Sequence, residues 1–115
     1  MADLGLLFLA KRYFESQGYS VEQGVTIDSI SGIPYSFDLQ AWKRDEVYLV
    51  YVKDWKRTVG VNMVMKIDKA VEEVGFGKAV LVANKFSDHA KSFSMRRGIR
   101  LLTPRELKLK IDSGR

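Results

Sequence analysis

Apolar and polar positions alternate along the chain with two different periods, and the change of period marks its elements. From Leu4 to Gln17, Leu6, Leu9, Tyr13 and Phe14 form one stripe at helical spacing, and Gly18 supplies the stop. Tyr19 to Ile27 alternates loosely as a first strand, SISGIP at 29 to 34 is turn chemistry, and Tyr35 to Trp42 reads as a second strand. The polar quartet Lys43, Arg44, Asp45 and Glu46 predicts a hairpin loop leading into a third strand, Val47 to Lys53. Apolar residues at 61, 64, 67, 71 and 74 predict an amphipathic helix that Gly75 ends. KAVLVA at 78 to 83 is a short buried strand, and Ser87 caps a helix running to Arg97 with Gly98 as its stop. Ile99 to Leu102 forms a last strand, and Thr103-Pro104-Arg105-Glu106 has the form of a capping box that starts a final helix.

The resulting order, αβββαβ followed by αβα, predicts an α/β fold with a mixed central sheet flanked by helices. The 115 residues suffice for a single domain, 1–115, with one core and are too few for two. No repeat or internal linker interrupts it. In sheets of this kind, ligand sites gather where strands end and separate.

The run VYLVYVKDWKR, residues 47 to 57, raises the first chemical question, because a strand rich in Val, Leu and Tyr ends on Lys53. Side chains two apart on a strand share a face, so Asp38 and Gln40 are expected to project together from the second strand, and Tyr51 and Lys53 from the third. The intervening hairpin sets these strands side by side. A half-buried lysine is tolerable beside a carboxylate, an ion or a phosphate. The bland alternative is a strand-end lysine whose stem packs and whose ammonium reaches water.

Composition narrows this chemistry. The chain has no cysteine and one histidine, His89, which rules out thiolate metal sites and argues against zinc. Any metal would be a hard cation held by oxygen, meaning Mg²⁺, Mn²⁺ or Ca²⁺. No segment approaches a membrane span, and MADLGLLFLAKR lacks the basic segment and cleavage site of a secretory signal, so it reads as an internal helix and the expected location is cytoplasmic.

Charge adds a partner class. Residues 1 to 84 hold ten Lys/Arg against eleven Asp/Glu, whereas residues 85 to 115 hold nine against three, within an overall net charge of +5. Such asymmetry suits a polyanion such as DNA or RNA, with a solubilising surface as the plain alternative and acidic lipid a weaker one. The expected backbone contacts are Lys56 and Arg57, with Trp55 as a stacking face, then Lys85, Lys91, Arg96, Arg97 and Arg100.

The segments SQGYSVEQG, SFDLQAW, VYLVYVKDWKR and KAVLVANKFSDHAKSFSMRRGIRLLTPREL, in this order across residues 4 to 107, resemble the PD-(D/E)XK nucleases. Within them they resemble the Mrr-like proteins and the archaeal Holliday junction resolvases. The resemblance implies the restriction endonuclease-like αβββαβ core and DNA, duplex or branched, as partner, with a homodimer favoured by two-fold targets. It also implies that Asp38 matches the metal-binding Asp and Lys53 the catalytic Lys. In the family an acid joins that Asp in binding Mg²⁺ or Mn²⁺, which polarises the scissile phosphate while the Lys positions the attacking water. Here the acidic position falls on Tyr51, and Gln40 could add a neutral oxygen. The helix-borne Glu of the junction resolvases falls on Leu6-Leu7-Phe8, with Glu15 nearer the helix end. Three readings stay open: a DNA-binding protein of the nuclease fold with an incomplete catalytic set, an active Mg²⁺- or Mn²⁺-dependent endonuclease, and a non-catalytic subunit of a nuclease complex.

Overall fold

The computed structural model describes residues 5–113. Nine elements follow one another: α1 (Leu6–Ser16), β1 (Ser20–Asp28), β2 (Pro34–Lys43), β3 (Glu46–Lys53), α2 (Val61–Val74), β4 (Lys78–Ala83), α3 (Asp88–Arg97), β5 (Arg100–Leu102) and α4 (Pro104–Ser113). Leu4, the expected start of the first helix, lies outside the described residues, as does the end of the tail, Gly114 and Arg115.

The local signals work by the expected chemistry. Ser87 accepts the Ala90 amide at 3.1 Å, and the α3 helix ends where Gly98, in the left-handed region, donates its amide to the Ser94 carbonyl. At α4 the Thr103 amide donates to Glu106 Oε1 at 2.8 Å while the Glu106 amide reaches back to Thr103 Oγ1 at 3.4 Å, a complete capping box.

The five strands lie in the order β1-β2-β3-β4-β5, antiparallel across the first three and parallel from β3 to β5. Helices cover both faces. Val64, Ile67, Ala70 and Val74 of α2 and Ala90 of α3 pack with Leu49, Tyr51 and Leu81 on one face. Leu6, Ala10, Tyr13 and Phe14 of α1 and Leu107 of α4 pack with Tyr48, Val50 and Val80 on the other. The alternation of β3 between two buried faces explains its unbroken apolar run.

Two details depart from the sequence reading. The hairpin between β2 and β3 is tighter than a four-residue loop, since Lys43 and Glu46 are themselves paired and only Arg44 and Asp45 turn, with Arg44 at φ +59°. A left-handed residue is what a two-residue hairpin turn requires, even where the sequence supplies no glycine. Glu46 is the first residue of β3 rather than part of the loop; it stays exposed and accepts the Tyr19 hydroxyl at 2.5 Å, a bond that lowers its carboxyl pKa.

The second departure shapes the site. Val21 of β1 and Leu39 and Ala41 of β2 face α1, whereas Val25 and Ile27 of β1 and Tyr35 and Phe37 of β2 face α2, although all are odd-numbered. Regular strands would keep them on one side. The switch occurs at Gly24 and Asp38, opposite each other and missing from an otherwise continuous register, with Gly24 at φ +63°. This left-handed glycine lets both strands kink and curl over α2, where the Ile30 amide donates to the Glu73 carbonyl at 2.9 Å. Gly24→Val is expected to destabilise the fold by about 1–2 kcal/mol, the cost of a left-handed L-residue, in urea unfolding.

Candidate functional site

The kink opens the sheet between β2 and β3. Their ladder ends at Leu39 opposite Val50, and the Val52 amide, two residues further along β3, donates to Asp38 Oδ2 at 2.7 Å. The Asp38 carboxylate thus closes the fork as β2 peels away. Asp38→Ala is expected to cost about 1–3 kcal/mol by orphaning that amide, whereas Asp38→Asn keeps an acceptor there and loses far less in the same unfolding assay.

A cavity of about 400 Å³ opens at this fork. Asp38, Tyr51 and Lys53 line it, together with Lys66 of α2 and the hydroxyl-bearing Thr26 and Ser36. Tyr51 is buried with its ring 5.6 Å from that of Phe37, and the Lys53 ammonium stands 5.1 Å from the Tyr51 ring centre. Burial pushes the Tyr51 phenol above its ordinary range, and the charge of Asp38 and then Tyr35 push it further, so it is neutral at physiological pH. The cavity therefore presents two ammonium groups, one carboxylate already bonded to a backbone amide, and a neutral phenol.

Gln40 does not line this cavity: it shares the α2 face with Tyr51 but is paired with Leu49, further back along the sheet from the fork. None of the other carboxylates near the motif in sequence reaches it either. Asp54 lies on the α1 side, accepting the Leu6 amide at 3.4 Å and the Asn84 side-chain amide at 3.2 Å. Glu46 is held by Tyr19 at the opposite end of β3, and Asp45 is in the hairpin turn. Glu15 is near the C-terminal end of α1, across the sheet.

Lys66 is absent from the sequence reading. Its signal was indirect: it neighbours Ile67 on the apolar stripe of α2, and it becomes significant only once α2 is known to cover the face to which Tyr51 and Lys53 point.

The basic residues separate into two groups. Lys53, Lys56, Arg57 and Lys85 lie at or just beyond the C-terminal ends of the parallel strands, and Lys91 sits in the first turn of α3. Arg96 and Arg97 are in the last turn of that helix, about 8 Å from Lys91 along its axis, and Arg100 begins β5 at the same far end. Two of these three have partners within the protein. Arg97 Nε donates to Asp68 Oδ2 at 3.0 Å. Arg100 donates to the Tyr13 hydroxyl at 3.3 Å, with its guanidinium 5.2 Å from the Tyr48 ring centre.

The loop after β3 is fixed rather than loose. Asn84 donates to the Trp55 carbonyl at 2.8 Å, and Val59 exchanges backbone hydrogen bonds with Lys85 and Ser87 through a parallel bridge to Phe86. Arg57 lies 4.1 Å above the Trp55 ring centre. His89 is exposed nearby.

A divalent cation, which nuclease relatives imply, needs several oxygen ligands. Among the described residues Asp38 is the one carboxylate lining the cavity, and one of its oxygens is engaged by Val52. Among the described residues no three Asp, Glu or His side chains come together. The donor set therefore does not fit a resident Mg²⁺ or Mn²⁺.

A five-stranded mixed sheet behind an antiparallel meander, split beside an Asp and a strand-end Lys and covered by helices on both faces, defines the restriction endonuclease-like class of α/β domains. The chain belongs to the restriction endonuclease family Mrr_cat, whose model matches residues 6–109. No curated protein matches it. Among solved structures it is similar to a protein of unknown function, AF1548, with 20% identity over 84% of this chain and 58% of that one and a TM-score of 0.76. It is also similar to EndoMS in complex with double-stranded DNA, with 15% identity over 83% of this chain and 42% of that one and a TM-score of 0.56. A repair endonuclease from Pyrococcus abyssi gives 20% identity over 85% and 43% and a TM-score of 0.51. At these identities the likeness is one of fold, and the chain spans less than two thirds of each of these proteins. No helix among the described residues is long and apolar enough to cross a membrane.

Proposed function

We propose that the chain is a DNA-binding domain, acting in the cytoplasm in repair, recombination or restriction, which retains the nuclease fold with a reduced catalytic set. The observation that carries this reading is the charge of the cavity, where Lys53 and Lys66 face a single carboxylate that is already closing the strand fork. Such a site suits a backbone phosphate better than a cation. Lys56, Arg57, Lys85 and Lys91 would extend the contact along the strand, and the family membership and the EndoMS complex with DNA support DNA as the polyanion. Tyr51 holds the position of the missing acid, Asp38 and Lys53 are the remnants of the catalytic pair, and Gln40 has no part in the site.

One observation favours a second reading, an active Mg²⁺- or Mn²⁺-dependent endonuclease: Asp38 and Lys53 line the same cavity at the end of β3. In that case the cation would take most of its ligands from the substrate phosphate and water rather than from the protein. A non-catalytic subunit of a nuclease complex would keep the fold without DNA affinity of its own. DNA presented as duplex or as a four-way junction, with a homodimer matching two-fold targets, remains part of the proposal.

The test combines a gel shift across salt concentrations with nicking of supercoiled plasmid and cleavage of a labelled four-way junction, in Mg²⁺ and in Mn²⁺. The expected result is salt-sensitive binding without cleavage. Metal-dependent cleavage abolished in Asp38→Asn and in Lys53→Ala would establish the endonuclease instead. Absence of any DNA affinity would leave the subunit reading.

A further inference from the structure

We propose that a second cavity, beside the phosphate site, receives an unpaired nucleobase of the bound strand; this rests on the reading of the Asp38 and Lys53 cavity as a phosphate site. The second cavity, of about 510 Å³, lies between the loop after β3 and the start of α3 and is lined by Trp55, Arg57, Asn62, Met63 and His89 among others. The two cavities are neighbours, because the Lys53 ammonium of the first stands 5.1 Å from the ring centre of Tyr51, which lines the first, and 5.8 Å from that of Trp55, which lines the second. A ligand of the second cavity is therefore a group close to the phosphate held in the first. In a nucleic acid that group is an adjoining sugar, phosphate or base, and the lining of the second cavity decides among them.

The lining matches the chemistry of a base. Trp55 with Arg57 stacked on it gives a flat, cationic, weakly hydrated surface, which is the kind of platform on which unstacked bases lie. Met63 adds an apolar wall, and the Asn62 amide and His89 imidazole supply donors and acceptors of the type that meet base edges. The platform is preorganised, because Asn84 fixes the Trp55 carbonyl and the Val59 bridge pins the following turn to the loop after β4. A base still paired within a duplex cannot enter such a cavity, so the site selects nucleotides that are already unpaired at a flap, junction or mismatch.

The experiment compares a fully paired duplex with one carrying a single unpaired 2-aminopurine, using the intact chain. Wild type is expected to bind the unpaired substrate about tenfold more tightly, the value of one base–aromatic stack, and to change the probe's fluorescence. In Trp55→Ala the ratio of the two affinities should fall to about one, over and above any common loss from releasing Arg57, which binds both substrates alike. The chain has two tryptophans, so Trp42→Phe leaves Trp55 as the reporter, and its emission should be quenched by the unpaired substrate and not by the paired one. This second readout decides the matter if Trp55→Ala fails to fold. Equal affinities in the wild type, a preference that survives Trp55→Ala, or equal quenching by both substrates would overturn the inference. Loss of all DNA binding in wild type would sink the phosphate reading itself, whereas binding without preference sinks this inference alone.

Discussion

Tyr51→Glu is expected to convert the cavity into a divalent-cation site and to confer metal-dependent nicking on the protein we propose only to bind DNA. The new carboxylate would stand on the same face of β3 as Lys53 and open onto the cavity that Asp38 lines. Without metal it is a second anion in a buried position, and the variant should lose about 3 kcal/mol of stability in unfolding measurements. The sign reverses when a cation binds the folded state alone, since a ligand at 100 times its dissociation constant returns about 2.7 kcal/mol. Thermal melts of Tyr51→Glu should therefore rise with millimolar Mn²⁺ or Mg²⁺, while wild-type melts do not. Adding Asp38→Asn to Tyr51→Glu should remove both the metal response and the nicking, because it leaves one anionic ligand where two are needed. A wild-type protein that nicks DNA in Mn²⁺ and melts higher with it would show that Tyr51 is no obstacle and that a ligand arrives with the substrate.

The reduced site and the kink that forms it differ in how far the sequence discloses them. Elements whose signals are local were legible: the apolar stripe from Val61 to Val74, the short KAVLVA strand, and the Thr103 to Glu106 box, which closes as its residue types require. The family was legible because the order of elements and the positions of Asp38 and Lys53 both lie in the linear sequence. The kink was not. Val21, Val25 and Ile27 have the parity of one continuous face, and nothing in alternation tells a reader that Gly24 turns the strand over between them. The loose alternation of this segment was its only trace. Alternation also says nothing of how far along the sheet the fork opens, so Gln40 was grouped with Asp38, and Lys66, which reaches the cavity from another element, could not be placed at all. Charge misleads for a related reason. Residues 85 to 115 are basic as a stretch, but α3 starts beyond the C-terminal end of β4, near Lys85, and carries Arg96 and Arg97 back toward the N-terminal end of β5.

That separation gives the electrostatic counterpart of the Tyr51 experiment. Lys53→Ala with Lys66→Ala is expected to weaken duplex binding by about tenfold at moderate salt, because both lysines line the cavity proposed to take the phosphate, where each contact would be charge-assisted. Each lysine that neutralises a phosphate contributes about 0.9 to the slope of log affinity against log salt, so the double variant should show a slope shallower by about 1.8. Arg96→Ala with Arg97→Ala removes the same formal charge at the far end of α3. There Arg97 is already paired with Asp68, so binding should change by no more than about twofold and the slope should stay nearly constant. Equal losses from the two pairs would mean that DNA is attracted by net charge alone, with no preferred face. A larger loss from the arginine pair would place the DNA at the opposite end of the sheet, away from Asp38 and Lys53, and the fork would then be a structural device without a ligand. The expected asymmetry is what ties binding to the kinked end, where one carboxylate, two lysines and a neutral phenol leave the charge balance in favour of a phosphate.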